Sequence, residues 1–466
     1  MLVESPSDML KELLALDNIA KTYKEKIAVK DFRGIDHIGR YQFERNKDKH
    51  FEIINRKCLN GTYKYSPFVE KLQLRGRNRE PRVISIPTMR DRVVLSLLKD
   101  YLHKLFPDCV NRKLPNTYIK EIKDYYGSAP PDICFYKVDI KSFYDTIKHH
   151  RLMEIISVNI TSKPDLLLIK RAIQTPSVSI GYRRDSLKEI KNTCGVPQGL
   201  AISNILANIY IHQSDINFEK ACLKYFRYVD DMLFVVRQTE EKTIESTVKK
   251  ELNSINLSIN KKKTSFVIVN ADNSNIDYLG YNLRLPTVGV KQATAERYLH
   301  SLSALFSSYL MKNRQALPEA RAMIRDIFVS DVNERITGAI RGNRRYGWIF
   351  YFLEMNDLAL LHMIDKIILD KFCSRIKEES TWLVLIKSIK KVAKAYYHAK
   401  YDPLKGYIHN YDSYDTIPKK IKYLISIGNM NVDESTTFSP EDIERIFDSV
   451  VSKRLAALES DLGETS

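Results

Sequence analysis

Cysteine is scarce in this sequence of 466 residues, and long apolar runs are missing. The cysteines form no Cys-x-x-Cys pair and have no histidines at zinc-finger spacing, which excludes a disulfide-stapled scaffold and a finger-type zinc site. They are Cys58, Cys109, Cys134, Cys194, Cys222 and Cys373. The opening residues lack the pattern of a signal peptide, and no stretch approaches the ~20 apolar residues of a membrane span. We therefore expect reduced thiols, no membrane partner and a cytoplasmic location.

Acidic residues are outnumbered by basic ones. The chain has 57 Asp and Glu against 74 Lys and Arg, a net charge of +17. Such an excess favours a polyanionic partner, because phosphates release counterions when lysine and arginine neutralise them. The hydrophobic content of 44% and the charged content of 28% are ordinary for a soluble globular protein of two or three domains.

The hydrophobic pattern changes along the chain. Up to about residue 290 it mixes helical periodicity with strand-like alternation, including a strand at 134–140 and a hairpin at 226–235. From about residue 290 the pattern is almost wholly helical, apart from a segment with Pro and Gly at 401–420. The acidic tail from residue 459 is predicted to be loose. The pattern predicts an α+β body followed by an α domain.

Three aspartates stand at the ends of predicted strands. Asp139 closes the strand at 134–140, while Asp230 and Asp231 lie at the centre of "FRYVDDMLFV". An Asp pair between two β-prone runs is by itself typical of an ordinary hairpin turn. If the sheet places the two strands side by side, however, three hard oxygen ligands gather at one point, as Mg²⁺ requires. Two such ions ~3.5–4 Å apart can hold the attacking and leaving oxygens of a phosphoryl transfer.

Further blocks resemble the motifs of reverse transcriptases, in the order in which that family has them. "YKVDIKSFYD", "GVPQGLAISNILANIYI", "YVDD", "LSINKKKTSF" and "YLGYNL" are similar to palm motifs A to E. "GIDHIGRYQF", "LNGTYKYSPF" and "RVISIPTMRDRVVLSLL" resemble the fingers blocks, and "ITGAIRGNRRYGWIFYF" resembles a thumb segment. The resemblance extends from about residue 34 to about residue 355, and it is to bacterial enzymes related to group II intron, retron and phage-defence reverse transcriptases.

The resemblance implies an α+β right-hand polymerase fold. Fingers and a palm with an antiparallel sheet are expected first, followed by an α-helical thumb and a helical C-terminal extension. The expected segments are an N-terminal helical segment at 1–33, fingers and palm at 34–285, the thumb at 286–375, and at 376–466 the extension with its loose acidic tail.

The resemblance also implies roles for the aspartates and one lysine. Asp139, Asp230 and Asp231 are expected to be catalytic, with Asp231 the weaker contributor. Together with Ile140 they are expected to hold two Mg²⁺ ions, for which Mn²⁺ could substitute. Lys263 matches the motif D lysine that gives a proton to the departing pyrophosphate. A run such as "KKK" is also typical of a solvated face, and that alternative stays open.

Two motif positions are expected to contact the deoxynucleotide. Tyr144 matches an aromatic residue whose ring would collide with a ribose 2′-OH, although a core aromatic is the alternative. Gln198 matches the motif B glutamine that lies along the incoming nucleotide, with a polar helix cap as the alternative. Gly199 would allow close backbone approach. The sequence departs from the motif at residues 200–202, where Leu, Ala and Ile replace the usual small residue and Pro.

Arginines are expected to bind the nucleotide triphosphate and the nucleic-acid backbone. Arg82 matches the cation of the fingers that grips the triphosphate, for which a guanidinium fork is suited. Arg79 and Arg90 are further candidates, and a solvated strand-edge charge is the alternative for each. In the thumb-like block, a nucleic-acid backbone contact is expected from Arg341, Arg344 and Arg345. A salt-bridged helix face is the alternative for those three residues.

These motifs predict an RNA-directed DNA polymerase, a nucleotidyltransferase that copies RNA with dNTPs. No endonuclease, ribonuclease H or integrase pattern follows the thumb-like block. In this respect the sequence resembles the stand-alone bacterial enzymes of antiphage defence. The expected partners are an RNA template, predicted to be a non-coding RNA, and the DNA product, and a homo-oligomer is left open. A retron or group II intron enzyme, an RNA-dependent RNA polymerase and an inactive RNA-binding module are the alternatives. Four tyrosines of the segment at 401–420 are predicted to be exposed: Tyr401, Tyr407, Tyr411 and Tyr414.

Overall fold

The computed structural model describes residues 5–28, 32–74, 80–182, 192–269, 274–372 and 379–462. Two compact units make up the chain. Unit 1 comprises Met1–Arg112 and Tyr136–Phe266, and unit 2 comprises Lys113–Phe135 and Val267–Ser466. Each unit is described by itself.

Helices begin near the start of the described chain and recur throughout it. The first eleven are α1 (Pro6–Leu13), α2 (Leu16–Thr22), α3 (Arg40–Glu44), α4 (Lys47–Leu59), α5 (Met89–Leu105), α6 (Pro115–Tyr126), α7 (Phe143–Thr146), α8 (His149–Ser157), α9 (Lys163–Gln174), α10 (Ser203–Ala221) and α11 (Glu241–Ser254). The later ones are α12 (Gln292–Gln315), α13 (Pro318–Thr337), α14 (Trp348–Tyr351), α15 (Leu358–Ile367), α16 (Glu379–Ser388), α17 (Val392–Tyr401), α18 (Ile417–Ser426), α19 (Val432–Thr437) and α20 (Pro440–Ser460).

The strands form small sheets. They are β1 (Phe68–Gln73), β2 (Arg82–Ile86), β3 (Ile133–Asp139), β4 (Ser177–Val178), β5 (Lys224–Tyr228), β6 (Asp231–Arg237), β7 (Ser265–Ile268), β8 (Ile276–Tyr278), β9 (Tyr281–Arg284), β10 (Thr287–Val290), β11 (Ala339–Arg341), β12 (Arg344–Tyr346) and β13 (His409–Asn410). The strand orders are β5-β6-β3-β7, β2-β1-β4, β10-β9-β8 and β12-β11-β13.

The sheet β5-β6-β3-β7 carries the aspartates predicted to be catalytic. Residues 232–236 of β6 are buried without alternation, as expected for a strand covered on both faces. Tyr136 of β3 stacks on Phe266 of β7 with ring centroids 4.0 Å apart. On β6, Phe234 packs edge-on against Phe218 of α10 at 5.3 Å. Helix α10 therefore covers this sheet, and its apolar sequence is explained by burial around most of its surface.

The helical part of unit 2 has its own aromatic packing. Helices α12 and α13 lie side by side, with Tyr309 stacked on Phe328 at 4.4 Å. Tyr298 of α12 stacks on the buried Trp348 of α14 at 4.7 Å. The C-terminal helices add a second cluster, which includes Tyr423 of α18 and Phe447 of α20.

A buried ion pair ties α13 to α20. Glu334 is 4% exposed, and the Nε of Arg454 donates to its Oε2 at 2.6 Å. Arg454 also pairs with Asp331 at 2.8 Å, and the Tyr411 hydroxyl donates to Glu334. Because every partner of Glu334 comes from a later element of the chain, this cluster joins α13 to the predicted C-terminal extension.

The predicted α+β body followed by a largely helical region is confirmed. One difference concerns residues beyond 290, where the sequence predicts helices alone and the structure also contains β11, β12 and β13. Helix α13 ends at Gly338, whose φ is +64° and where a Cβ would lie 2.3 Å from the Tyr346 carbonyl oxygen. Gly342 and Asn343 then form the two-residue turn of a hairpin, a pair of residues typical of such turns.

The predicted exposure of the four tyrosines is correct for Tyr401, which is 62% exposed, and wrong for Tyr411, which is 2% exposed. Tyr407 and Tyr414 are partly buried. Pro and Gly do break the helices here, but the loop folds back onto the Glu334 cluster, which satisfies the Tyr411 hydroxyl inside unit 2.

The acidic tail also packs more closely than the sequence predicts. Helix α20 continues to Ser460, and Asp461 is 3% exposed because it pairs with Arg335 at 2.6 Å. The last residues, 463–466, lie outside the described residues.

The described cysteines are free thiols, as predicted: Cys58, Cys109, Cys134, Cys194 and Cys222. Cys373 lies outside the described residues. Among the helices formed by described residues, none combines the length and the apolar character needed to cross a bilayer.

Replacing Arg454 with Met should destabilise unit 2 by about 3 kcal/mol, because the Glu334 carboxylate is then buried without a counter-charge. The exposed pair of Lys419 and Asp415 offers a matched control, and Lys419→Met should cost less than about 1 kcal/mol. Urea unfolding followed by tryptophan fluorescence measures this, since Trp348 and Trp382 both belong to unit 2. Equal midpoints for the two variants would contradict the role given to the buried pair.

Candidate active site

The turn between β5 and β6 has an unusual backbone. The two strands are antiparallel and pair Tyr228 with Asp231, so Val229 and Asp230 form the turn. Val229 has a φ of +57°, a conformation that is a genuine outlier for a β-branched residue. Strained residues of this kind persist only where their surroundings hold them, and they cluster at functional sites.

Arg227 provides that hold. Its Nη1 donates to the carbonyl oxygen of Val229 at 3.0 Å and to Oδ1 of Asn208 at 3.1 Å. Its Nε and Nη2 donate to the two carboxylate oxygens of Asp215, at 2.7 Å and 2.6 Å. A bidentate pair is geometrically rigid. Asp215 and Asn208 both belong to α10, so this helix fixes the turn through one guanidinium.

Asp139 meets the same turn from the neighbouring strand. It is the last residue of β3 and is 4% exposed. The next residue, Ile140, donates its N–H to the carbonyl oxygen of Asp230 at 3.2 Å. The side chain of Asn260 donates to Oδ2 of Asp139 at 3.0 Å, and Lys263 Nζ lies 2.6 Å from Oδ1. The structure thus brings Asp139, Ile140, Asp230 and Lys263 together, as the sequence predicts.

The carboxylates at this point are short of positive charge. The pKa of Asp231 is raised to about 6, first by burial and then by the charges of Asp230 and Asp139, while Lys137 and Lys263 oppose the rise. The pKa of Asp230 is raised by burial first and then by Asp139. Both shifts mean that the ionised forms are disfavoured without a further cation.

Whether these residues suit a metal ion depends on their chemistry and their arrangement. Among the described residues, no three His, Cys, Asp or Glu side chains are arranged to hold one. The Lys263 ammonium contacts Oδ1 of Asp139 at 2.6 Å. The donor set itself fits a hard divalent cation, because it offers carboxylate oxygens that are desolvated and repel one another.

Tyr144 lies beside these carboxylates. Its pKa is raised to about 12, first by burial and then by the charge of Asp230. Its position is fixed through its main chain, since Val196 donates its N–H to the Tyr144 carbonyl oxygen at 2.8 Å. The charge of Arg82 lowers the pKa of Tyr144 and also that of Asp230. Arg82, Tyr144 and Asp230 therefore share one local environment.

The Gln198–Gly199 segment packs against the strand that carries Arg82. Ser85 of β2 donates its N–H to the Gln198 carbonyl oxygen at 2.7 Å. Gly199 has a φ of +99°, and a Cβ there would lie 2.7 Å from Cγ2 of Ile84. Only glycine satisfies both constraints. The Gln198 side chain forms a hydrogen bond with Asp145, the residue after Tyr144, so motif B is joined to both Tyr144 and β2.

The remaining arginine candidates lie elsewhere or are not described. Arg90 lies on α5, and its charge lowers the pKa values of His50, Tyr63 and Asp91. Arg79 lies outside the described residues. The three thumb-like arginines belong to the β11–β12 hairpin of unit 2, not to the helix face that was the alternative for them: Arg341, Arg344 and Arg345. Arg341 pairs with Asp448 at 2.6 Å, and Arg344 is exposed.

Sequence reasoning missed four residues of this site: Lys137, Asp145, Arg227 and Asn260. Three of them lie inside predicted motif blocks, Lys137 and Asp145 in "YKVDIKSFYD" and Asn260 in "LSINKKKTSF", and Arg227 directly precedes "YVDD". Lys137 could have been found from the strand periodicity. Residues two apart on a strand share a face, and Lys137 is two positions before Asp139. Arg227 and Asn260 both need partners on other elements, on α10 and on β3, that no local pattern indicates.

A family model described as "Reverse transcriptase (RNA-dependent DNA polymerase)" matches residues 71–283. All the residues predicted for the metal and nucleotide sites lie inside this range, including Arg79 and Arg90. The predicted resemblance to reverse transcriptases is therefore confirmed for the domain at residues 71–283, while its phage-defence branch is not addressed by this match.

Curated relatives are similar over parts of the chain. The group II intron-encoded protein LtrA of Lactococcus lactis subsp. cremoris is 28% identical over 170 residues, which are 35% of this chain and 27% of that protein. Protein YkfC of Escherichia coli K12 is 21% identical over 298 residues, 54% of this chain and 75% of that protein. The chain thus spans about a quarter of the length of LtrA. Among solved structures, a telomerase from Candida albicans in complex with a telomeric RNA fragment has a TM-score of 0.42 and 15% identity, covering 91% of this chain and 68% of that one.

Replacing Arg227 with Lys should loosen the turn, because an ammonium cannot bind Asp215 and the Val229 carbonyl in the same fixed geometry. Losing a hydrogen bond to a charged group costs about 1.5–3 kcal/mol, so amide hydrogen exchange in a peptide spanning residues 228–232 should accelerate at least about tenfold. Arg237→Lys, at the exposed end of β6, is the control and should leave that peptide unchanged. If the two variants exchange alike, Arg227 does not hold the turn.

Proposed function

We propose that this chain, whose residues 71–283 form a reverse transcriptase domain, is an RNA-directed DNA polymerase that adds dNTPs to a primer by phosphoryl transfer. The observation that carries the proposal is the meeting of Asp139 with the Asp230–Asp231 turn beside Tyr144. Buried like charges are costly, and a divalent cation bound among them would offset that cost.

The reaction places separate demands on the aspartates. Two Mg²⁺ ions, or Mn²⁺ in their place, would supply charge neutralisation for the attacking and leaving oxygens. Asp139 and Asp230 would hold them, with the main-chain oxygen of Ile140 and, more weakly, Asp231. The arginine–aspartate pair between Arg227 and α10 keeps the turn in one geometry, which reduces the reorganisation needed at each addition.

The substrate is proposed to lie between β2 and the start of α7. Arg82 would bind the triphosphate, and Gln198 with Gly199 would lie along the nucleotide. Gln198 is bonded to Asp145 in the free chain, so a nucleotide would have to take over that contact or lie beside it. The Tyr144 ring would exclude a ribose 2′-OH and so favour deoxynucleotides.

The ion pair between Lys263 and Asp139 would have to break before Lys263 could donate a proton. Its Nζ lies 2.6 Å from Oδ1 of Asp139, an oxygen that a divalent cation would also use. An ammonium and a metal ion exclude one another at that oxygen. We therefore place the proton-donor role of Lys263 after its release from Asp139, when it can reach the departing pyrophosphate.

The template is proposed to be an RNA associated with the protein, and specifically a non-coding RNA of a bacterial antiphage system. The net charge of +17 supports a polyanionic partner. Arg341, Arg344 and Arg345 would contact the phosphates of the template and primer. The resemblance of the motif blocks to bacterial reverse transcriptases, a group that includes phage-defence enzymes, supports the defence setting.

Removing a metal ligand should abolish synthesis. Asp139→Asn and Asp230→Asn are each expected to lower Mg²⁺-dependent primer extension on an RNA template by ~10³-fold or more, because several kcal/mol of transition-state stabilisation are lost. Asp108→Asn, at an exposed aspartate in the 107–109 turn, is the matched control and should keep wild-type activity. Near-normal extension by a folded Asp139→Asn or Asp230→Asn variant would contradict the proposal.

Removing the ring of Tyr144 should weaken the selection of deoxyribose over ribose. Tyr144→Val removes the collision with the 2′-OH, so the preference for dNTPs over rNTPs should fall at least about tenfold. Tyr144→Phe keeps the ring and should keep the preference, which separates a steric role from one of the hydroxyl. The ratio of kcat/KM values for dTTP and UTP measures this. An unchanged ratio in Tyr144→Val would place the sugar selection elsewhere.

A further inference from the structure

One face of α17 is basic and aromatic, and the proposed catalytic mechanism does not use it. Residues three or four apart on a helix share a face, and this spacing groups Lys394, Tyr397, Lys400 and Tyr401, with Lys391 directly before the first turn. All five side chains are exposed. We call this group the α17 face.

The two tyrosines present their rings to solvent. Tyr397 is 55% exposed and Tyr401 is 62% exposed. Their ring centroids are 5.0 Å apart at an angle of 49°, so they form one continuous aromatic surface. An aromatic ring left in water has apolar area to bury and a π-face on which another ring can stack.

Positive charge is concentrated in the segment that contains those rings. Between residues 387 and 407 the chain has six lysines and a single acidic residue, Asp402, which pairs with Lys405 at 3.0 Å. The ammonium groups of Lys390 and Lys394 lie 5.0 Å and 4.9 Å from the centroid of the Tyr407 ring. Bringing two ammonium groups to one ring raises the local positive potential, which attracts a polyanion.

The opposite side of α17 is fixed inside unit 2. Val392, Ala395 and Ala399 are buried there. The carboxylate of Asp365 accepts the N–H groups of Val392 and Ala393 at 2.6 Å and 3.1 Å, which satisfies the first turn of the helix. The exposed face is therefore held on a rigid support, and little ordering would be required when a ligand binds.

We propose that the α17 face binds an unpaired segment of RNA, with bases stacked on Tyr397 and Tyr401 and phosphates on Lys391, Lys394 and Lys400. Lysines contact phosphates irrespective of sequence, and aromatic rings stack on any base, which together are the features of a single-strand binding surface. The inference rests on the proposed function for the identity of the strand. The DNA being made is paired to its template, whereas RNA beside the copied part keeps its bases free to stack.

The tyrosines can be tested by binding alone. Fluorescence anisotropy with an unstructured 20-nucleotide RNA and the full chain, without dNTPs, should show at least about tenfold weaker binding for the Tyr397→Ser, Tyr401→Ser double variant. The Tyr397→Phe, Tyr401→Phe variant keeps both rings and should bind like the wild type. Equal affinity of the Ser and wild-type chains would overturn the proposal, as would an equal loss in the Phe variant.

The lysines can be tested through salt dependence. Each phosphate contact that is removed lowers the slope of log affinity against log salt by about 0.7 for a single strand. Lys394→Ala should therefore reduce the slope by about that amount. Lys422→Ala, an exposed lysine on α18 of the same unit, should not change it. Identical slopes for the two variants would overturn the phosphate role.

Two further measurements identify the ligand and separate this inference from the proposed function. A double-stranded RNA should lose no affinity in the Ser variant, and an equal loss for duplex and single strand would contradict base stacking. Extension of a short preformed primer–template should be the same in the Ser variant and the wild type. If the wild type extends primers but the Ser variant binds RNA normally, this inference fails alone. If the variant loses RNA binding although the wild type extends no primer, the proposed function fails alone.

Discussion

The repulsion among Asp139, Asp230 and Asp231 is the constraint on which the rest of unit 1 depends. Burial and mutual repulsion raise the pKa of Asp230 and Asp231, so these side chains would not remain ionised together without nearby compensation. Lys263 supplies part of that compensation by pairing with Asp139. The strands are held in this arrangement by apolar packing, with β6 buried along most of its length and α10 lying against it. Packing energy thus offsets an electrostatic cost that Lys263 reduces and that a bound cation would reduce further.

The sequence predicts much of this site, because its information is local. Asp139 ends a strand with a clear apolar pattern, and the Asp pair of the "YVDD" block lies between two β-prone runs. The order of the motif blocks adds Tyr144, Gln198 and Arg82. The structure explains Gly199 through its positive φ and its approach to Ile84, a contact that joins positions more than a hundred residues apart.

The contacts that the sequence does not predict are mostly long-range. Asn260 reaches Asp139 across 121 positions, and Arg227 needs partners on α10. Tyr411 illustrates the same limit in unit 2. Its surroundings of Pro and Gly indicate an exposed loop, yet its hydroxyl bonds to Glu334, 77 positions away. The β11–β12 hairpin differs from these cases. Its Gly-Asn pair is a local signal for a hairpin turn, but the helical pattern of the surrounding sequence favoured a helical prediction.

The most direct test of the central claim is whether the three aspartates bind a divalent cation. Electron paramagnetic resonance of Mn²⁺ measures free and bound ion without any need for catalysis. The account predicts that the wild-type chain binds Mn²⁺ in competition with Mg²⁺, that Asp139→Asn and Asp230→Asn lose this binding, and that Asp108→Asn retains it. Wild-type binding in the Asp139→Asn and Asp230→Asn chains would show that these carboxylates are not the metal site, and the account of this centre would be wrong.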